Sequence, residues 1–284
     1  MQRVALLGLG VMGAGMAANW LAKGFALSVF NRTPAKAEAL AGKGARVAAT
    51  PREAAADADF IFAMVANDAA SRAVWLGADG ALAEARAGVV AVESSTLTPG
   101  WARELADHAR ANGLGFLDAP VGGSREAAAS GALRFFVGGD EATLEHARPA
   151  LAAIGGTIDL LGPAGAGMSW KLINNHLIAT QIAALAEAVD MARNSGFLPE
   201  QISNLILAGA ALSPIVKAKL PRMLERDYDK TDFALYLMLK DTRYAAALAG
   251  SLGAEAGMIS SAVAAFARAE ARGMGEKDFA AVAG

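Results

Sequence analysis

Cysteine is absent from this sequence of 284 residues. Its absence excludes disulfide bonds, a thiolate nucleophile and zinc held by thiolates. Histidine is nearly as scarce, with three scattered copies, which argues against the zinc site of a zinc-type alcohol dehydrogenase. We therefore expect a protein without a metal site.

A large charge of either sign and long apolar runs are also missing. The net charge is -2 at pH 7, which provides no basic surface for nucleic acid. The apolar runs are too short or too interrupted to cross a membrane, and the chain opens on a strand-like segment rather than on a secretory signal. We expect a cytoplasmic protein with neither a nucleic-acid nor a membrane partner.

A glycine-rich turn organises the start of the chain. The apolar run Val4–Leu7 precedes a GxGxxG turn, and a helix-like segment and a second apolar run, Ala26–Phe30, follow it. This order within about thirty residues is typical of a βαβ unit that binds a dinucleotide, and it disfavours an ordinary glycine turn. Gly8 allows the tight turn, Gly10 lets a pyrophosphate approach, and Gly13 lets the helix pack on the sheet. The predicted phosphate-binding residues are Gly8, Leu9, Gly10, Val11, Met12 and Gly13.

The residues after the second apolar run indicate which dinucleotide is bound. A site specific for NAD has an acidic residue here, which accepts a hydrogen bond from the ribose 2′-hydroxyl. This chain has Arg32 instead, flanked by Asn31 and Thr33. An arginine cannot accept that bond but can pair with a 2′-phosphate. We predict NADP as the cofactor bound by these three residues, with NAD as the alternative if Arg32 is an ordinary solvated loop residue.

The pattern of elements changes near the middle of the chain. Strand-like and helix-like segments alternate up to Gly162, which predicts a mainly parallel sheet with helices on both faces. Only helices are predicted afterwards, and the stretch 168–194 has neither glycine nor proline, which predicts a helix of about 27 residues and roughly 40 Å. The predicted fold is an α/β Rossmann-type domain over residues 1–162, followed by an all-α domain over 163–284 and joined to it by that helix. The apolar second half leads us to expect a homodimer or a homotetramer.

One lysine of the long helix has the setting of a proton donor. Lys171 follows the glycine-rich segment 165–167, and Asn174 and Asn175 lie three and four residues further on, so all three share a helix face. A lysine opposite two amides near a domain boundary is typical of the acid–base residue of an oxidoreductase. On spacing alone, a lysine that extends from a buried helix to solvent is an equally good interpretation.

Four segments carry a resemblance to a known family. They are GLGVMGAGMAANWLAKG from Gly8, DAPVGGSREAAASGAL from Asp118, GAGMSWKLINN from Gly165 and LMLKDTRYA from Leu237. In this order, and over nearly the whole chain, they resemble motifs of the β-hydroxyacid dehydrogenase family, which includes 3-hydroxyisobutyrate dehydrogenases and semialdehyde reductases. The segment SPIVKAKLPRML from Ser213 is more similar to the glyoxylate/succinic semialdehyde branch. The resemblance implies interconversion of a small β-hydroxyacid and its semialdehyde or keto form.

The resemblance also assigns roles to matching positions. Lys171 is implied to be the catalytic acid–base residue, with Asn175 orienting the substrate beside it. The residues implied to bind the substrate are Gly122, Gly123, Ser124 and Asn174. Of these, Gly123 and Ser124 are implied to hold its carboxylate. Those implied to contact the cofactor beyond the glycine turn are Met64, Val65, Thr96, Phe233 and Lys240.

One position departs from the family pattern. The family usually has serine or threonine where this chain has Gly122, so the expected carboxylate site lacks a hydroxyl donor. The departure leaves open an imine reductase, which shares the scaffold but generally replaces the lysine. A non-catalytic NADP-binding module is a second alternative, of another class. The presence of Lys171 favours the hydroxyacid dehydrogenase over both.

Overall fold

The computed structural model describes residues 1–284. Contacts within the chain divide it into two compact units, Met1–Lys171 and Leu172–Gly284. The first unit contains a sheet of nine strands, and the second is built from helices. The predicted fold class, an α/β Rossmann-type region followed by an all-helical region, is confirmed.

The regular elements have the following bounds. The strands are β1 Arg3–Leu7, β2 Ala26–Phe30, β3 Arg46–Val47, β4 Phe60–Ala63, β5 Val90–Glu93, β6 Gly115–Asp118, β7 Val121–Gly122, β8 Leu133–Gly139 and β9 Gly155–Gly162. The helices are α1 Val11–Ala22, α2 Pro34–Ala41, α3 Pro51–Ala55, α4 Asp68–Leu76, α5 Pro99–Ala111, α6 Arg125–Ser130, α7 Glu141–Ala152, α8 Ala166–Asn194, α9 Pro199–Ala208, α10 Pro214–Glu225, α11 Leu235–Ser251 and α12 Gly257–Ala269. Shorter helical turns cover Ala81–Ala83, Glu270–Met274 and Phe279–Ala283.

The order of the strands identifies the edge at which a ligand binds. The sheet has the order β3-β2-β1-β4-β5-β6-β8-β7, and β9 pairs with β8. The pairs among β1 to β6 are parallel, whereas β8 is antiparallel to β6 and β7. Strand β1 lies between β2 and β4, with Val4 opposite both Leu27 and Phe60. The order therefore reverses at β1, and open α/β sheets bind ligands beyond the carboxyl ends of the strands at such a reversal.

Apolar layers cover both faces of the sheet. On one face Trp20 of α1 packs against Phe62, with 4.7 Å between the ring centroids. On the other face Trp75 and Trp101 pack in the same cluster as Ile61. Burial on both faces explains why the central strands read as continuous apolar runs rather than as an alternating pattern.

The second unit has its own apolar core. Buried side chains of α8, α10, α11 and α12, among them Met223, Leu239 and Phe266, form one cluster. Lys219, which is 4% exposed, pairs with the buried Asp278 at 2.8 Å and holds the C-terminal turn against α10. None of the helices combines the length and the apolar character that a membrane-spanning segment requires.

Candidate active site

The glycine turn between β1 and α1 forms a cradle of backbone atoms. Gly8 has a φ of +110°, and a Cβ on it would lie 2.2 Å from the carbonyl oxygen of Met64. A Cβ on Gly13 would lie 2.1 Å from the carbonyl oxygen of Gly8, so both positions require glycine. A Cβ on Gly10 would meet no atom within 4 Å, and no side chain caps the start of α1. The open space and the uncapped N–H groups fit a pyrophosphate.

The residues after β2 hold one side of this turn. The Asn31 side chain accepts a hydrogen bond from Leu9 N at 2.9 Å and donates one to the carbonyl oxygen of Thr33 at 2.9 Å. The Asn31 amide is therefore occupied by the protein itself. Arg32 and Thr33 are exposed, and the Thr33 side chain does not cap α2. These two side chains remain accessible to a ligand.

The loops after β4 and β5 lie beside the glycine turn. A Cβ on Gly8 would lie 3.1 Å from Cγ1 of Val65. Val65 N donates a hydrogen bond to Ser95 Oγ at 2.8 Å, which ties the two loops together next to Thr96. The structure therefore brings the predicted cofactor residues of the first unit to one edge of the sheet.

A buried carboxyl group that the sequence analysis did not identify supports these loops. Glu93 ends β5 and is fully buried. It accepts hydrogen bonds from Ser71 Oγ at 2.6 Å, Trp75 Nε1 at 2.8 Å and Ser95 N at 2.9 Å. Burial raises the pKa of the Glu93 carboxyl, and these donors oppose the rise. Because Ser95 in turn holds Val65, Glu93 connects α4 to the cofactor-side loops.

The predicted carboxylate segment forms a short strand, a sharp turn and the start of α6. Gly122 pairs with Arg134 of β8. Gly123 has a φ of +123°, and a Cβ on it would lie 2.8 Å from the Ala127 Cβ. Ser124 Oγ accepts a hydrogen bond from Ala127 N at 3.4 Å and caps α6. Since Ser124 is exposed, its hydroxyl proton remains available to a substrate oxygen.

Helix α6 packs directly on α1, the helix that begins at the glycine turn. A Cβ on Gly15 would lie 2.8 Å from the backbone carbon of Ala128. Asn19 Nδ2 donates to the carbonyl oxygens of Ala128 at 2.9 Å and Ala129 at 3.1 Å. These contacts fix the segment Gly122–Ser124, which leads into α6, relative to the helix that follows the glycine turn.

Asp118 holds the start of α8, the helix that carries Lys171. Its Oδ1 accepts a hydrogen bond from Gly165 N at 2.7 Å, and its Oδ2 accepts one from Met168 N at 2.8 Å. The side chain is fully buried. Burial raises the pKa of Asp118 to about 6, although the backbone donors favour the charged form. The first turn of α8 is therefore fixed to β6, and Lys171 follows one turn later.

The amides after Lys171 belong to a hydrogen-bonded chain that ends in a carboxylate. Asn175 is 3% exposed and its Nδ2 donates to Asp241 Oδ2 at 2.6 Å, while Asn174 Nδ2 donates to Asn175 Oδ1 at 3.3 Å. Lys240 Nζ lies 2.9 Å from Asp241 Oδ1. Asn175 and Lys240 are predicted from the sequence, but Asp241, which joins them, is not. An acidic residue in a largely apolar helix was the available signal.

The other predicted cofactor residue of the second unit is Phe233. It precedes α11 and makes an edge-on contact with Phe279, with 5.9 Å between the ring centroids. The roles of Phe233 and Lys240 at a cofactor stay predictions.

Comparison with protein families gives two matches. Residues 3–162 match the NAD binding domain of 6-phosphogluconate dehydrogenase, and residues 165–284 match the NAD-binding domain of NADP-dependent 3-hydroxyisobutyrate dehydrogenase. The NAD-dependent L-serine dehydrogenase of Pseudomonas aeruginosa is 35% identical over 99% of this chain and 97% of its own length. Glyoxylate/succinic semialdehyde reductase 2 of Arabidopsis thaliana is 32% identical over 98% of this chain and 78% of its own length.

Solved structures give the same result. The 3-hydroxyisobutyrate dehydrogenase of Mycobacterium tuberculosis, determined with L-serine, has a TM-score of 0.89 and 34% identity, covering 100% of this chain and 98% of that one. An imine reductase of Streptomyces aurantiacus is more distant, with a TM-score of 0.68 and 25% identity over 99% of this chain and 98% of its own. The similarity is therefore greater to hydroxyacid dehydrogenases than to imine reductases.

Proposed function

This chain belongs to the β-hydroxyacid dehydrogenase family of NAD(P)-dependent oxidoreductases, and from that membership we propose an NADP-dependent enzyme that interconverts a small β-hydroxyacid and its semialdehyde or keto form. The observation that carries the proposal is the arrangement on α8. Lys171 lies one turn before the buried Asn175, on a helix whose start is held by Asp118. A helix fixed in this way presents its lysine in a defined position.

Lys171 is the acid and base of the proposed reaction. The nicotinamide, when bound, supplies or accepts the hydride at the carbon that carries the oxygen. Lys171 protonates that oxygen during reduction and takes the hydroxyl proton during oxidation. Its positive charge also stabilises the alkoxide as it develops. Asn175, held by Asp241, orients the substrate through an amide that does not itself exchange the proton.

The residues after β2 support NADP over NAD. Arg32 is exposed, while the neighbouring Asn31 amide is occupied by Leu9 and Thr33. A guanidinium pairs with a 2′-phosphate and has no acceptor for a 2′-hydroxyl. The free Thr33 hydroxyl and the N-terminus of α2 are further donors. The relative from Pseudomonas aeruginosa is named as NAD-dependent, so the preference needs direct measurement.

We propose that the substrate carboxylate binds at the segment Gly122–Ser124, with Asn174 as a further contact. Ser124 offers an exposed hydroxyl, and the turn at Gly123 has the positive φ that lets successive N–H groups converge on an anion. Gly122 contributes no hydroxyl, so the backbone carries a larger share of the recognition than in relatives with serine or threonine.

The substitution Lys171→Ala tests the proposal. We expect kcat for the best β-hydroxyacid to fall by about 10²–10⁴-fold, the usual range for loss of a general acid–base residue. The dissociation constant of NADPH is expected to change little, because the phosphate-binding residues are untouched. Lys217→Ala, which removes an exposed lysine of α10, is the control. Near-normal kcat in Lys171→Ala would remove this lysine from the mechanism.

A substrate panel separates the proposed activity from the imine reductase alternative. The panel contains β-hydroxyacids, their semialdehydes and cyclic imines, each assayed with NADP(H). We expect turnover of hydroxyacids and semialdehydes, because Lys171 is retained. Reduction of imines alone would contradict the proposal.

A further inference from the structure

Helix α6, which follows the proposed carboxylate segment, is too short to be stable by itself. It has 6 residues, whereas isolated helices shorter than about 12–15 residues are marginal in water. Ser124 is its N-cap residue, so the positions of the Ser124 side chain and of the turn at Gly123 depend on the presence of an ordered α6. The contacts that hold α6 are therefore the contacts that hold the proposed carboxylate site.

The last turn of α6 depends on a side chain from another helix. The final carbonyl groups of a helix have no partner within the helix itself. The carbonyl oxygen of Ala127 accepts a hydrogen bond from Ala132 N at 2.9 Å. Those of Ala128 and Ala129 accept theirs from Asn19 Nδ2 of α1, at 2.9 and 3.1 Å. Asn19 therefore caps the C-terminal end of α6, although it lies 109 residues from Ala128 along the chain.

The surroundings of Asn19 are shaped for this contact. Asn19 Nδ2 also donates to the carbonyl oxygen of Gly15, one turn earlier in α1, at 2.9 Å. Gly15 lets α6 approach, since a Cβ on it would lie 3.0 Å from the Cβ of Ala128. Gly131 ends α6 with a φ of +69°, and a Cβ on it would lie 2.9 Å from Asn19 Oδ1. The two glycines bring the backbones close enough for the amide to reach across.

We propose that Asn19 is a positioning residue for substrate binding: its amide holds α6, and through α6 it holds the turn at Gly123 and the Ser124 hydroxyl against the substrate carboxylate. The inference rests on the proposed function, which places the carboxylate at this segment. Asn19 itself does not contact the substrate. The other functional groups are held separately, since Lys171 follows a helix start fixed by Asp118, and the glycine turn lies about two turns of α1 before Asn19.

This separation determines which kinetic constants change in Asn19→Ala. The substitution removes the amide, adds no atom and favours the helix. With saturating NADP, we expect the KM for 3-hydroxyisobutyrate, or for the β-hydroxyacid of the panel with the highest kcat/KM, to rise about three- to tenfold, the factor associated with one net hydrogen bond. We expect little change in kcat or in the Kd of NADPH. Asn19→Asp keeps the shape but directs a carboxylate at carbonyl oxygens, so it should raise the KM further.

Asn112→Ala is the matched control. Asn112 Nδ2 donates to the carbonyl oxygen of His108 at 2.8 Å, at the end of α5, so this variant loses a comparable bond from an amide to a helix carbonyl but keeps α6 intact. It should leave the KM unchanged. In a Ser124→Ala background, where the hydroxyl is already absent, Asn19→Ala should raise the KM by a smaller factor than in the wild type, because the two residues act through one segment. Melting temperatures are recorded for all variants.

The outcomes distinguish this inference from the proposed function. A wild-type KM in Asn19→Ala, or additive effects of Asn19→Ala and Ser124→Ala, would overturn the positioning role alone. A rise in the Kd of NADPH as large as the rise in the KM would do the same, because the defect would then be general. Failure of the wild type to turn over any hydroxyacid would overturn the proposed function as well. If Asn19→Asp does not fold, Asn19→Ala still decides, because that variant adds no atoms.

Discussion

We propose that the choice between NADP and NAD depends on Arg32. It stands at the end of β2, where the neighbouring amide of Asn31 is already bonded within the protein. One charge-assisted contact to a 2′-phosphate is worth about 1.5–3 kcal/mol, or roughly ten- to a hundred-fold in affinity. We expect the wild type to bind NADPH more tightly than NADH by such a factor.

Replacing this residue should reverse the preference. Arg32→Asp repels the 2′-phosphate and provides an acceptor for the 2′-hydroxyl, so we expect the ratio of the NADPH and NADH dissociation constants to invert. Fluorescence titration of both cofactors measures the ratio. Arg110→Asp, an exposed arginine of α5 paired with Asp107, should leave it unchanged. Equal dissociation constants in the wild type would rule out a phosphate-binding role for Arg32.

The buried Glu93 carboxyl is a second side chain whose loss should be measurable. Three donors point at its carboxyl, and a glutamine amide group cannot accept a hydrogen bond on its nitrogen. Glu93→Gln therefore leaves at least one buried donor unmatched, and we expect the free energy of unfolding to fall by about 1–3 kcal/mol. Urea denaturation measures the loss.

The same substitution should also weaken the cofactor site, because Ser95 holds both Glu93 and Val65. We expect a higher dissociation constant for NADPH in Glu93→Gln. Glu104→Gln removes an exposed ion pair with Arg72 and should change neither quantity by more than about 1 kcal/mol. Normal cofactor affinity in a destabilised Glu93→Gln would limit Glu93 to a structural role.

The glycine turn is recognisable in the sequence, whereas the buried acids Glu93, in the first unit, and Asp241, in the second, are not. Gly8, Gly10 and Gly13 are recognisable because the motif is contiguous. Glu93 and Asp241 are not, because their hydrogen-bond partners are distant along the chain: Trp75 is 18 residues from Glu93, and Asn175 is 66 residues from Asp241. Such pairings depend on the folded sheet and helices rather than on any local pattern.

Some helices and strands can be predicted from the sequence, and others are too short to be recognised. Thr98 followed by proline is a typical helix start, and Thr98 Oγ1 accepts a hydrogen bond from Trp101 N at 3.3 Å at the beginning of α5. The sequence pattern does not predict α2, α6 or β7. Helix α6 has 6 residues and β7 has 2, too few for a hydrophobic period to be visible. The antiparallel direction of β8, which follows these two elements, is not predicted either.

Asp118, which holds the start of α8, makes the stability of the folded protein depend on pH. Its pKa is about 6 in the folded protein, above the value of about 3.9 in an unfolded chain. The folded state therefore binds more protons between these two values, and the stability associated with protonated Asp118 is present below about pH 4 and is lost as the pH rises through about 6. The contribution is on the order of 2–3 kcal/mol.

The corresponding experiment compares the wild type with Asp118→Asn. Asparagine does not titrate: it keeps a carbonyl acceptor and N–H donors at any pH, much as the protonated acid has a carbonyl acceptor and an O–H donor. We therefore expect the free energy of unfolding of Asp118→Asn, relative to the wild type, to increase as the pH rises from about 4 to 7. Urea denaturation across this range measures the difference, in which the other titrating groups cancel. A difference that is independent of pH would show that the Asp118 pKa is not raised.

For the whole chain, the sequence predicts the order in which strands and helices follow one another, but it does not predict the order of the strands within the sheet. The alternation up to Gly162 and its replacement by helices follow from the two hydrophobic periods of the sequence. The position of β1 between β2 and β4 requires the return of the chain across the sheet, which no local pattern encodes. The glycine turn nevertheless indicates this position, because a dinucleotide binds where the strand order reverses.

Exposed apolar side chains of the second unit support the prediction that the protein self-associates. Leu177 and Met191 of α8 are 54% and 70% exposed, and Leu198 and Leu205, at α9, are 65% and 64% exposed. Leu205 also lines an apolar pocket together with Phe197 and Ile202, and an exposed apolar patch on a folded domain usually marks a surface that another protein covers. We expect a homodimer or a homotetramer formed through these two helices.

Leu205→Glu tests that expectation. A carboxylate at this position would have to lose its water in a subunit interface, at a cost of several kcal/mol, so the variant should have a lower molar mass by light scattering than the wild type. Leu76→Glu, in α4 of the first unit and 37% exposed, is the matched control and should keep the wild-type mass. Wild-type protein that is monomeric at micromolar concentration would contradict the prediction. Unchanged association in Leu205→Glu would place the interface away from α9, because an unpaired charge at its centre would not be tolerated.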